Sequence, residues 1–362
     1  MRPLIIPFFI PHAGCPHTCL FCDQHRISGV RGPLPTPQQI TATVHQWLIR
    51  SPGRPAQVAF YGGSFTLLPQ AVQAELLEAV QPLINEKRVS GIRLSTRPDA
   101  LDNDTLFFLA GQRVRTIEIG VQSLDDEVLL RANRGHTAQQ SIESIKRVAA
   151  AGFEVGVQLL PGLPGDTPLK ALESLRGVIA AGAQFLRIYP ALVLSGTGLA
   201  DLHRYGRYCP PDLEEGVRLC AGLLHEARQA GCPVIRVGLQ SDDGLVPGEN
   251  ILAGCWHPAL GQLVRGELFY ELVLQRLSPL FSSNNVVVYC SPRRLSEVQG
   301  HGQRNLLRWQ QAGLCITSIL CDSSLGDQQL RLESINQKIT LSTITDLNKK
   351  EFFYAQAVDH LS

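Results

Sequence analysis

Residues 92–123 read IRLSTRPDALDNDTLFFLAGQRVRTIEIGVQS. An apolar run at Ile92–Thr96 gives way to a polar turn, then to a helical pattern at Asp102–Leu109, and a second apolar strand follows at Thr116–Val121. This strand–helix–strand unit recurs on both sides. Further strands are expected at Leu4–Ile10, Val58–Tyr61, Glu154–Leu160 and Phe185–Tyr189. Further helices are expected at Gln38–Ile49, Gln70–Gln81, Asp125–Ala132, Thr137–Ala151 and Pro168–Ala181. The first of these has a well-marked start, because Thr36 can cap, Pro37 suits the first helical position and Gln39 completes a capping box. Six such units predict an α/β fold with a parallel sheet, a partial (β/α)6 TIM-like barrel, with an open doubly wound sheet as the alternative.

Past Pro190 the rhythm loosens. A helix is expected at Pro211–Ala230, a strand at Val234–Leu239, a Gly-, Asp- and Pro-rich loop at Ser241–Gly261, a helix at Leu263–Leu277 and a strand at Asn285–Tyr289. The division read from this pattern is a core over residues 1–245 and a small C-terminal α+β extension over 246–362.

Composition sets bounds rather than answers. The 362 residues carry 33 Lys and Arg against 32 Asp and Glu, a net charge of +1, which neither demands nor excludes a nucleic-acid partner, since a binding face can be locally basic. The N-terminal apolar run is broken by Pro7 and Pro11, so neither a signal peptide nor a membrane partner is expected, and the cytoplasm is the default location. Ten cysteines are too few and too unevenly spaced for a secreted disulfide framework, and three of them fall within eight positions.

Those three lie in GCPHTCLFCDQ, residues 14–24, soon after the first strand. Cys15, Cys19 and Cys22 follow C-x3-C-x2-C. Three thiolates can hold three irons of a [4Fe-4S] cubane and leave the fourth without a protein ligand. S-adenosylmethionine (SAM) can chelate that iron through its amino and carboxylate groups. Zinc is the competing occupant, with His12, His17 or His25 as fourth ligand. Downstream, FYGGSFT places Gly62, Gly63 and Ser64 at the end of the second strand, where the missing Cβ atoms permit close approach to the backbone.

The triad, the Gly-Gly turn, and the blocks STRPD (95–99), EIGVQS (118–123), NRGHT (133–137), LLPGLPGDT (159–167) and RIYPALVLSGTGL (187–199) together resemble the radical SAM superfamily, in the branch typified by the Elongator catalytic subunit. The likeness covers roughly residues 5–245. It implies a partial barrel with the cluster in the loop after strand one, a Gly-Gly motif that receives the methionyl amino end of SAM, and reductive cleavage of SAM to a 5'-deoxyadenosyl radical. It also implies a low-potential electron donor such as flavodoxin or ferredoxin, and an RNA substrate, specifically a tRNA base.

Site assignments follow from the C-terminal strand ends, where ligands of parallel barrels sit. Gln122 and His136 are the candidate catalytic residues. Arg97 and Arg134 are candidates for the SAM carboxylate or a substrate phosphate, with an ion pair to Asp99 or Glu118 as the plain alternative. Glu118 is a candidate for the SAM ribose or for holding an arginine. Gly162 lies in a stiff bend that the resemblance brings close to the adenine, and Tyr189 could stack on the base.

Two departures from the family pattern stand out. Nothing after residue 245 resembles the acetyltransferase domain of the Elongator branch, and the branch's cluster cysteines are more widely separated. The segment CSPRRLSEVQGHGQRNLLRWQQAG (290–313) carries Arg293, Arg294, Arg304 and Arg308 near Trp309, suited either to a phosphate backbone or to an amphipathic surface helix. Two rivals therefore stay open: a radical SAM enzyme acting on a porphyrin-like or other small molecule, and a non-enzymatic iron–sulfur or zinc protein that binds RNA.

Overall fold

A computed structural model describes residues 3–16, 19–30, 32–239, 245–280, 285–335, 337–348 and 350–353. The chain divides into two compact units, Met1–Pro210 with Leu239–Gly254, and Pro211–Gly238 with Cys255–Ser362.

The first unit is built on β1 (Leu4–Ile10), β2 (Ala56–Gly62), β3 (Ile92–Thr96), β4 (Val114–Gln122), β5 (Glu154–Leu159) and β6 (Phe185–Ile188). These pair in sequence order, every pair parallel, and curl into a half-barrel. Parallel pairing needs a crossover after each strand. Helices supply it, among them Pro37–Arg50, Asn103–Gly111, Ala138–Ala150 and Pro168–Ala181. Helices cover one face of such a sheet, so the strands are apolar nearly throughout, with Ile6, Val58, Leu94, Ile117, Ile119 and Val155 fully buried. Each contributes roughly 1.5–3 kcal/mol by leaving water.

Local signals at the helix ends act as their residues suggest. Thr36 accepts from the Gln39 N–H while the Gln39 side chain accepts from the Thr36 N–H, and Thr137 with Gln140 repeats the box. The expected helix at Gln70–Gln81 is instead two, Gln70–Glu78 and Gln81–Asn85. Pro82 is the reason, since it has no N–H for the helix and clashes with the preceding turn. Within the expected loop at 241–261, residues Ile251–Gly254 form a strand antiparallel to Leu192–Leu194, while residues 241–244 lie outside the described ones. Pairing with distant apolar residues creates that strand, and local composition does not record it.

In the second unit, helices Leu213–Gln229 and Leu260–Leu280 pack together beside a four-stranded sheet ordered Ile316–Cys321, Val286–Cys290, Gln329–Glu333, Lys338–Ser342. Trp309 is fully buried, stacks on Tyr270 and donates its indole N–H to the Tyr270 carbonyl at 3.1 Å. Among the described residues, no helix is long and apolar enough to cross a membrane.

Candidate active site at the mouth of the half-barrel

The loop that leaves β1 carries Cys15, Cys19 and Cys22 and lies directly on the turn that ends β2. Two backbone bonds join them. Gly63 donates its N–H to the Ile10 carbonyl at 2.9 Å, and Ser64 donates to the Ala13 carbonyl at 2.9 Å. At Gly63 an added Cβ would collide with the Ala13 carbonyl oxygen and lie 2.7 Å from that of Ile10; at Gly14, with φ +72°, it would collide with the Ser64 carbonyl. The glycines thus bring two backbones together, which the sequence alone had suggested for a backbone and a ligand. Ser64 reaches over the junction, its Oγ 3.6 Å from Cys15 Sγ.

Gln24 locks the same junction from the side. Its side-chain amide donates to the Gly62 carbonyl and accepts from the His12 N–H, and its own N–H donates to His12 Nε2 at 2.9 Å. His12 therefore carries its proton on Nδ1, and its Nε2 lone pair is engaged. Burial and the neighbouring His25 lower its pKa. Gln24 received no role from the sequence, although it stands two residues past the last cysteine.

The three thiols feel one another. Burial first, then Cys19 and Cys15, push the Cys22 thiol up to about 12, against Arg134 and a hydrogen bond with Gln24 that pull it down. Among the described residues no three His, Cys, Asp or Glu side chains converge tightly enough to hold a single metal ion. A cubane asks for a different arrangement, one thiolate on each of three irons. Three free cysteines in one loop with a guanidinium beside them fit that donor set.

That guanidinium belongs to Arg134, which is 5% exposed and donates from Nη1 to Cys19 Sγ at 3.1 Å, from Nε to His136 Nε2 at 3.3 Å, and from Nη2 to the Gly120 carbonyl. Phe21 lies beneath it, 5.9 Å away. His136 is held neutral, its pKa lowered to about 4 by burial and then by Arg134. Its Nε2 accepts from Arg134, so Nδ1 carries the proton and faces Ser141 Oγ at 3.2 Å. Arg97 is committed elsewhere, gripping Asp99 through Nε and Nη2 at 2.9 and 3.1 Å and donating to the Arg134 carbonyl.

Inside the barrel, Glu118 is shared by two arginines. Arg187 Nε lies 2.5 Å from one carboxylate oxygen, and Arg93 Nη1 lies 2.8 Å from the other, which also accepts from Tyr61 at 2.9 Å. Burial alone would raise the Glu118 pKa, but Arg187 and Arg93 outweigh it and hold the carboxyl below its usual range. Arg187 also donates to the Tyr189 hydroxyl at 3.2 Å, and Tyr189 packs with Phe21 against Val128, Leu160 and Leu163. Of the two functions weighed for Glu118, the structure displays the arginine-holding one.

Gln122 sits at a bulge closing β4, with φ +72°, and its side-chain oxygen accepts from Gln158 Nε2 at 3.2 Å. Gln158, on β5, is a second residue that the sequence did not single out; its place one strand over from Gln122 was the available signal. In the following bend, Gly162 donates its N–H to Asp166 at 2.8 Å and accepts from the Tyr208 hydroxyl at 2.6 Å. Burial raises the Asp166 pKa to about 6, against the hydrogen bonds from Gly162 and Thr167.

In the second unit, Arg304 pairs with Glu214, and Arg308 grips Glu267 while lying 3.5 Å over the Tyr270 ring. Arg294 is paired as well, with Glu297 at 3.0 Å and Asp327 at 3.1 Å, so three of the four arginines weighed for a phosphate backbone are neutralised within the protein.

Comparison with known proteins agrees with this geometry. The radical SAM superfamily profile matches residues 9–176 and the Radical_SAM C-terminal domain profile matches residues 183–269. The chain is 28% identical over 225 residues to an uncharacterized protein of Methanocaldococcus jannaschii, MJ0486, covering 58% of this chain and 68% of that one. It is 29% identical over 198 residues to the tRNA uridine(34) acetyltransferase of the same organism, covering 53% and 36%. Against human Elongator complex protein 3 it is 35% identical over 140 residues, covering 37% and 26%. The match thus spans well under half the length of these last two relatives. Among solved structures, Elp3 of Methanocaldococcus infernus superposes with a TM-score of 0.58 at 18% identity, over 73% of this chain and 62% of that one. The cysteine loop, the Gly-Gly turn and the parallel half-barrel are thus those of a recognised group, and the chain belongs to the radical SAM superfamily of enzymes, in the branch resembling the Elongator catalytic subunit.

Proposed function

We propose that this chain holds a [4Fe-4S] cluster on Cys15, Cys19 and Cys22, cleaves SAM reductively with an electron from a flavodoxin- or ferredoxin-like donor, and modifies RNA, with a tRNA base as the target. When bound, the cluster and SAM supply the chemistry: one electron breaks a sulfonium bond and yields a carbon radical able to attack an unactivated carbon. The protein's task is to position and to shield.

Gly62, Gly63 and Ser64 fix the loop on which the cysteines stand, and Gln24 clamps it. Arg134 offsets the negative charge of the thiolates, and the same buried guanidinium is the candidate partner for the methionyl carboxylate of SAM. His136, neutral and an acceptor toward Arg134, positions that guanidinium. Gln122 and Gln158 offer amides at the strand ends for SAM or substrate, Gly162 borders the adenine, and Tyr189 closes the wall beside it. Glu118 sets the barrel interior by aligning Arg93 and Arg187, and Arg97 braces the Arg134 backbone.

The observation that carries this reading is the junction itself, a three-cysteine loop pressed backbone to backbone on a Gly-Gly turn at the mouth of a parallel half-barrel. The tRNA reading draws on the printed names of the relatives. Its test is anaerobic incubation with SAM, dithionite and total RNA, followed by mass comparison of nucleosides. Cys19→Ala should stay folded by circular dichroism and release no 5'-deoxyadenosine. Undiminished release would remove Cys19 from the ligand set, and wild-type release without any altered nucleoside would remove RNA as substrate.

A further inference from the structure

The end of the half-barrel away from the cysteines carries an uneven charge. Three connections enter neighbouring strands there. Where the chain enters β2 stand Arg50, the last residue of the preceding helix, and Arg54; where it enters β3, Lys87 and Arg88; and where it enters β4, Arg113 and Arg115, the second residue of that strand. All six are exposed. The same stretches hold one carboxylate, Glu86, which lies 3.8 Å from Arg88. By contrast, the connections into β5 (151–153) and β6 (182–184) have no charged residue at all. In a chain with net charge +1, this is a local concentration.

Topology brings the six together. β2, β3 and β4 are adjacent, and neighbouring strands lie roughly 4.8 Å apart, so three pairs of cations form a row on the order of 10 Å across. Contacts knit the row. Arg115 packs over Gly91 just before β3, Arg113 donates to Asn85 at 2.6 Å, and Arg88 meets His45 at 2.8 Å. Arg54, Lys87 and Arg88 also border an open cavity of about 690 Å³. Among the described residues, Arg50, Arg54, Lys87 and Arg115 have no carboxylate within ion-pair distance. Glu154, at the start of β5, bounds the row on one side, and Arg93 and Thr116 engage it.

We infer that this face binds the phosphodiester backbone of RNA. Four unpaired cations in a row fit a string of phosphates better than a single anion, and guanidinium forks match phosphate oxygens. An acidic electron donor is a poor fit. It must approach the cysteine loop, which lies at the opposite strand ends, roughly 20 Å away along the seven residues of β2. A folded RNA is long enough to present a base at one end of the barrel while its backbone rests on the other. The inference rests on the RNA reading of the preceding subsection and specifies where affinity arises.

The test uses the full chain and end-labelled unfractionated tRNA, with binding followed by fluorescence anisotropy between 50 and 300 mM salt (about the range over which phosphate contacts are lost). The variant is Arg54→Gln, Lys87→Gln, Arg115→Gln together. These side chains are exposed and unpaired, so its melting temperature should match wild type. Losing three phosphate contacts should lower the slope of log affinity against log salt by about 2 to 3 and weaken binding by roughly tenfold or more near physiological salt. Wild-type binding with an unchanged slope and affinity in the variant overturns the placement and leaves the RNA reading intact. A wild-type protein that does not bind tRNA overturns the RNA reading itself. Formation of 5'-deoxyadenosine without RNA should be equal in both proteins, because none of the three lies at the cysteine end.

Discussion

Gly63→Ala is a sharp perturbation, because a single methyl meets only backbone. Its Cβ would overlap the Ala13 carbonyl oxygen and stand 2.7 and 2.8 Å from the Ile10 oxygen and the Ala13 nitrogen. No side chain can swing away to relieve this, so the two loops must part. Overpacking of this kind costs about 1–3 kcal/mol, and each of the two backbone hydrogen bonds between the loops contributes about 1 kcal/mol, for a loss of roughly 3–5 kcal/mol. In a unit of this size that is a fall of roughly 6–20 °C in melting temperature. Because the displaced loop carries the cysteines, iron bound after anaerobic reconstitution should drop as well. Thermal unfolding by circular dichroism reads the first effect and iron and sulfide assay the second. Gly111→Ala is the control, since Gly111 ends a helix with nothing within 4 Å of its added Cβ, and this change should be neutral or slightly stabilising. If Gly63→Ala melts like wild type and binds as much iron, the loops are not in contact as described.

Two further outcomes concern buried ionisable groups. Glu118→Gln leaves Arg93 and Arg187 facing a neutral amide and should cost roughly 3–5 kcal/mol in denaturant unfolding at pH 7. Because the Glu118 pKa is depressed on folding, its contribution is full above the unfolded carboxyl value of about 4.3 and is lost as pH falls through the lower folded value; this acid component should be missing in the variant. A variant as stable as wild type would mean that the arginines do not depend on this carboxylate. His136, at about 4 when folded against about 6.5 unfolded, should lower stability as pH falls between those values, by about 3 kcal/mol in all. His136→Gln retains an acceptor for Arg134 and should flatten that slope, whereas an unchanged pH profile would show that His136 is not buried as a neutral acceptor.

Much of this architecture is legible in the residues. β1 and β3 run over the expected positions, and the helix at Pro168–Ala181 does too, because alternating apolar runs and helical periodicity in a parallel α/β protein are strong local signals. The cysteine loop and the Gly-Gly turn were recognisable by spacing. What sequence could not supply was their mutual contact, since the clash that makes Gly63 necessary comes from Ala13, fifty residues earlier. The same holds for Gln24 and Gln158, ordinary amides whose value lies in what stands across from them. Arg97 directly follows β3 and Arg134 stands in the turn before the helix Ala138–Ala150, yet the sequence offers both for the same anion; only the fold gives one to Asp99 and the other to Cys19. In the second unit the strands Ile316–Cys321, Gln329–Glu333 and Lys338–Ser342 went unmarked, being short, partly exposed and defined by pairing.

The most direct test of the central claim is Mössbauer spectroscopy on protein reconstituted with 57Fe without air, recorded before and after SAM is added. The account predicts about four irons per chain in a cubane, with one iron whose signal alone shifts when SAM binds. A tetrahedral zinc ion at these cysteines, or a cluster whose four irons all ignore SAM, would contradict it.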